Sequence, residues 1–209
     1  MKKKSNILFL LILILSITIN KTVLSQDTLL LVSGDKMILN KYTLVDSTFS
    51  LNYFNKRGKE KSIDYYYIFS ITDSTGKERI FFEPSKVEDI DFTIPQMRSF
   101  IDGEIAARKT HKARIATASG FIVGAGGMFL LPTFYSLLIP ATNSLIVSLT
   151  KPNEKKIIEK YPDKANDKYF INGYIQAGKE KRINNSIKAG LVGILTGIGA
   201  AILYDSFTK

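Results

Sequence analysis

Hydrophobic positions fall along this chain in three rhythms. Three stretches, 7–19, 115–149 and 187–203, are apolar almost without interruption, broken only by Asn143 and Lys188. Between 27 and 82 apolar and polar residues tend to alternate, the period-two pattern of strands half buried in a sheet. From residue 97, Met97, Phe100, Ile101 and Ile105 recur every three to four positions, as on one face of an amphipathic helix.

The alternating region reads as a succession of short strands. Residues 27–34 give a buried strand closed by a turn at Gly34, and 37–45 a second strand. Phe49, Leu51 and Tyr53 mark a third before the turn at 56–59. Ile63, Tyr65, Tyr67, Phe69 and Ile71 predict one continuous strand, followed by a turn at 73–76 and a last strand at 79–82. Five short antiparallel strands predict a small curled sheet or barrel over 26–93. The cluster Tyr65, Tyr66 and Tyr67 could form a recognition surface. The favoured reading places Tyr65 and Tyr67 on the core face and Tyr66 on the other.

An internal repeat organises the second half. Shifted by 70 residues without gaps, Phe100, Ile101, Gly103, Ile105, Ala107, Lys109, Gly120 and Gly127 fall on identical residues at 170, 171, 173, 175, 177, 179, 190 and 197. One register holds through both a polar and an apolar half, which points to a duplicated unit. Each unit predicts an amphipathic helix running into a membrane-entering one. Thr93, Pro95 and Gln96 supply a helix start, and Glu104 and Arg108, four apart, form a weak ion pair on its wet side. Small residues then recur at spacing four, Ala116, Gly120 and Gly124 in one copy and Gly193, Gly197 and Ala201 in the other. Such faces let another backbone approach closely, either within the chain, the favoured reading, or through self-association.

The 35 uncharged residues of 115–149 would span about 50 Å as one helix, more than a bilayer needs. Pro132 and Gly126–Gly127 near the middle favour a hairpin of two spans, with a third at 187–204 and a tail at 205–209. The alternative is a single broken span. It would leave 150–186, with nine basic and five acidic residues, in the cytoplasm and invert the two repeats, as the positive-inside rule prefers. The amphipathic helix 94–114 and the charged loop and helix 150–186 flank these spans.

At the N-terminus, Lys2, Lys3 and Lys4 precede the 13-residue apolar run 7–19, and Val23 and Ser25 stand before Gln26. This is the layout of a signal peptide over 1–25 cleaved after Ser25. The rival, an uncleaved anchor, would reach only about 20 Å. Both readings imply export. The chain has no cysteine, which excludes disulfides, thiolate metal sites and a lipid-modified N-terminal cysteine.

Charge sharpens the picture once it is localised. Without the four lysines of the leader the formal +10 falls to +6, and 26–106 is slightly acidic, with 10 basic and 13 acidic residues. The surplus sits beside the apolar helices, at Arg108, Lys109, Lys112 and Arg114 and at Lys179, Lys181 and Arg182. Cations there favour anionic lipid headgroups, and nucleic acid is excluded as a partner for want of a basic face on the compact domain. No catalytic set stands out. His111 is the only histidine and lacks a partner, Glu88, Asp89 and Asp91 lie in a linker, and the glycines at 124–127 lack the Lys-Ser/Thr of a phosphate loop. Neither cofactor nor metal is expected.

The opening Asp27-x-Leu29-x-Leu31-x-x-Gly34, with the later strand and the Gly76-Lys77-Glu78 turn, resembles SH3-like or Sm-like modules of exported proteins. The string Met97-Arg98-Ser99-Phe100-Ile101-Asp102-Gly103-Glu104, with Leu138–Thr142 and Phe170–Gly173, resembles exported membrane proteins of the Bacteroidota over about 110 residues. That resemblance implies no activity. Thr110 and His111 stand where those proteins would carry bulkier aromatics. The expectation is therefore an α+β membrane protein, a small five-stranded antiparallel barrel-like domain followed by amphipathic and transmembrane helices. It would be a non-enzymatic inner-membrane protein of the cell envelope whose periplasmic β domain is a binding or assembly module. The expected partners are the bilayer and other envelope proteins or further copies of itself. The alternative is an oligomeric transport or channel component.

Overall fold

The computed structural model describes residues 26–55, 57–84, 92–130, 135 and 138–208, leaving aside the side chains of Phe129 and Leu130. The signal peptide, the acidic linker group and the turn near Pro132 lie outside the described residues.

Among the described residues seven strands, not five, make up the β region: β1 (Asp27–Leu31), β2 (Lys36–Leu39), β3 (Tyr42–Val45), β4 (Ser50–Phe54), β5 (Glu60–Asp64), β6 (Ile68–Thr72) and β7 (Glu78–Ile80). They form two antiparallel sheets, β2-β1-β6-β7 and β3-β4-β5, rather than a closed barrel. The continuous strand expected from Ile63 to Ile71 is broken by a 3-10 turn at Tyr65–Tyr67 that carries the chain from one sheet to the other. The apolar alternation of the sequence runs on across the corner although burial does not alternate: β5 is largely exposed, whereas Ile68, Phe69, Ser70 and Ile71 of β6 are all buried. Tyr65 packs against the core between the sheets, whereas Tyr66 is 84% exposed and Tyr67 is exposed too.

The four-stranded sheet is covered on both faces. Leu29, Ile68 and Ile71 meet Leu51 and Tyr53 of the other sheet. From the opposite face Phe69 packs with Met97 and Ile101 of α1 (Ile94–Thr110). The helix starts at Thr93, whose N–H donates to Gln96 Oε1 at 2.9 Å, so the expected cap forms. Helix α1 thus docks the β region onto the helical half.

Four more helices follow among the described residues: α2 (Arg114–Leu130), α3 (Ile139–Ser148), α4 (Glu154–Lys160) and α5 (Lys168–Thr208). The two segments related by the 70-residue shift differ in how their helices run. The first breaks at 111–113, between α1 and α2, while the second runs through as the single 41-residue helix α5. Thr110 Oγ1 donates back to Ala106 O at 2.8 Å, a bond that weakens a helix end. The positions equivalent to 110–112, Glu180-Lys181-Arg182, are strong helix formers. Helix α5 is about 60 Å long, and it is long and apolar enough to cross a membrane.

Candidate functional site

Helix α5 is the spine against which α1, α2 and α3 pack, and glycines set the approach. A Cβ on Gly103 would overlap Phe170 O, and a Cβ on Gly173 would overlap Phe100 O. These two contacts exchange under the 70-residue shift, so the copies cross there with local two-fold symmetry. Further along, Gly120 faces Ser186 O, Gly124 faces Gly190 O, Gly193 faces Phe121 O and Gly197 lies against Ala125 O. The partners advance together along both helices, so α2 and the second half of α5 run parallel. Ala116 is buried beside Ala113 and Val147, and Ala201 is half-buried beyond the last of these contacts.

Helix α3 runs back against both. Ile139 meets Gly127, Pro140 meets Gly190, Val147 meets Ala113 and Ala116, and Arg182 Nη1 donates to Thr150 O at 3.1 Å. Between the three helices lies a buried polar cluster. Asn143 Nδ2 donates to Ser186 Oγ at 2.7 Å and reaches Ser119 Oγ at 3.4 Å, while Ser144 Oγ donates to Pro140 O at 2.7 Å. Small and polar residues fill the inside, and large apolar ones face out: Ile115 is 83% exposed, Ile122 66%, Leu145 67% and Leu195 70%. That order is the reverse of a water-soluble bundle.

The basic residues do not act as one belt. Arg108 turns to the β region, pairing with Asp35 at 2.9 Å and donating to Ser33 O at 2.7 Å. Arg182 serves the α3 side. Lys109 is exposed and Lys179 half-buried, and neither forms an ion pair among the described residues. Lys112, Arg114 and Lys181 converge instead on an open groove of about 840 Å³ between α2 and α5, together with Lys188. Sequence reading marked Lys188 only as an interruption of an apolar run. That interruption was the available signal.

Glu104 departs most from expectation. It is not on the wet side: it is 3% exposed, lying under the β1–β2 turn, where a Cβ on Gly34 would stand 3.0 Å from its Oε2. Its Oε2 has no hydrogen-bond partner among the described residues, and Arg108 bonds Asp35 rather than Glu104. Burial raises the carboxyl to about 7, an effect that Glu180 and Asp35 reinforce and Arg108 opposes. His111 is half-buried against Tyr174. Burial first, then the positive charges of Arg182, Lys181 and Lys160, hold its imidazole below the usual range. No group of three or more metal-ligating side chains gathers among the described residues.

Compared with protein-family models, with curated proteins and with solved structures, the chain matches none.

Proposed function

We propose that this chain is a non-enzymatic membrane protein of the cell envelope, akin to the exported Bacteroidota proteins it resembles. In this reading the β region is a periplasmic binding or assembly module held by glycine-packed helices in the inner membrane. The observation that carries the reading is the inverted bundle. Glycine, serine and asparagine lie inside while isoleucine and leucine cover the outside, an arrangement favourable in lipid and costly in water. The antiparallel course of α3 between two parallel helices supports a hairpin followed by a third span. Both repeat copies then enter from the β-domain side.

The alternative, an oligomeric channel, draws less support. Ser119, Asn143, Ser144 and Ser186 bond one another in a cluster between the helices, with Ser186 fully buried, rather than lining an open path. The glycine faces expected to join copies are occupied within one chain.

The proposal is tested by fractionation of cells expressing the full chain. It predicts retention in the membrane pellet after alkaline carbonate washing. In spheroplasts, added protease should remove the β region and leave a protected helical fragment. Release by carbonate would contradict it.

A further inference from the structure

The groove between α2 and α5 is open on the face of the helix pair that α3 leaves uncovered. Helix α3, with Thr150 just beyond it, contacts Ala113 and Ala116 at the start of α2 and Arg182, Ser186 and Gly190 on α5. The groove is lined from the next face round. We propose that it holds one anionic phospholipid, the phosphate among Lys112, Arg114, Lys181 and Lys188 and an acyl chain along Ala118, Phe121 and Val192. This inference rests on the membrane reading above and names a ligand for it.

Three observations carry it. Charge comes first: four cations line the groove and no carboxylate does. Lys112, Arg114 and Lys188 have no ion pair among the described residues, and Lys181 Nζ donates to Arg108 O at 2.6 Å. The second is the placement of Lys188. It stands seven residues, about 10 Å, beyond Lys181 along α5, at the start of the apolar run 187–203 and level with the stretch of α2 between Gly120 and Gly124. A charge at such depth is costly unless it serves a ligand, and its flexible stem lets the ammonium reach back toward the others. The third is shape. Beyond the cations the walls turn apolar on both helices, and the volume lies within the range of ligand sites. A helix from a second copy fits less well, because it would bring the same cations to a groove that is already positive.

The test uses the purified full-length chain in mild detergent, titrated with phosphatidylglycerol or phosphatidylcholine of matched chains and read by native mass spectrometry. We expect one phosphatidylglycerol per chain, held at least tenfold more tightly than phosphatidylcholine. R114Q/K188Q should lose that preference. A118F, which keeps every charge but fills the apolar wall, should lose the lipid as well. K155Q/K156Q, on exposed α4, should bind as the unmodified chain does, and circular dichroism should report equal helix content for all variants. Equal binding of the two lipids would overturn the proposal. So would a loss shared by K155Q/K156Q, displacement by millimolar inorganic phosphate, or groove variants that dissociate a dimer while leaving lipid binding intact. Failure of the membrane reading is separable, since it shows as carbonate extraction of the unmodified chain.

Discussion

Burial holds the Glu104 carboxyl near 7 rather than at the 4.5 of a solvated glutamate, and stability should record it. The folded state keeps this proton more tightly than the unfolded chain does. Stability is therefore fullest below pH 4.5, declines as pH rises from 4.5 to 7, and stays lower above that by about 3 kcal/mol. E104Q should flatten that slope and raise the melting temperature at pH 8, read by thermal unfolding across pH. An unchanged slope would show that the carboxyl is solvated. The i, i+4 spacing to Arg108 gave no hint of this burial. What buries Glu104 is the turn at Gly34, about 70 residues away in sequence and positioned by the β1–β2 hairpin. A periodicity read along one helix does not register a loop landing on it.

Among the elements, glycine decides which helices touch. Gly103 and Gly173 sit where a methyl would strike backbone, which has no rotamer by which to yield. G103A and G173A should each cost about 2 kcal/mol or more by overpacking. G126A and G199A, which open onto free space, should be neutral or stabilise by up to about 1 kcal/mol through helix propensity. Thermal unfolding of the four variants in one detergent separates the two pairs, and equal effects would contradict the crossing. N143A should cost about 1 kcal/mol, the scale of an interhelical hydrogen bond in a membrane bundle. Much of this was readable beforehand, because the 70-residue register and the spacing-four small residues name the surfaces that meet. The strand count was not. Tyr65–Tyr67 continue the period-two alternation through a turn, so the pattern runs on where the hydrogen bonding changes sheets. The interruption at 111–113 was likewise hidden, since neither proline, glycine nor a change of hydropathy marks it.

For the whole molecule, the β region, Lys112 and the α4 segment lie at one end of the helical bundle, while the end of α2 and the last turns of α5 lie at the other. Charge patterning argued for a single broken span and length for a hairpin. The two could not be reconciled from sequence because the positive-inside rule counts loop charges without seeing where they are used. Arg108 and Arg182 are each bound to backbone or carboxylate at the β-domain end, and Lys112, Arg114 and Lys181 gather at the groove. In the membrane reading the β region and α4 therefore share one side of the bilayer and the end of α5 lies on the other. The most direct test of this arrangement introduces single cysteines into this cysteine-free chain as K36C, K160C and S206C, and treats intact cells with a membrane-impermeant maleimide after opening the outer envelope. The account predicts that K36C and K160C label together and that S206C labels only after the inner membrane is disrupted. Labelling of all three alike, or of K160C only together with S206C, would contradict it.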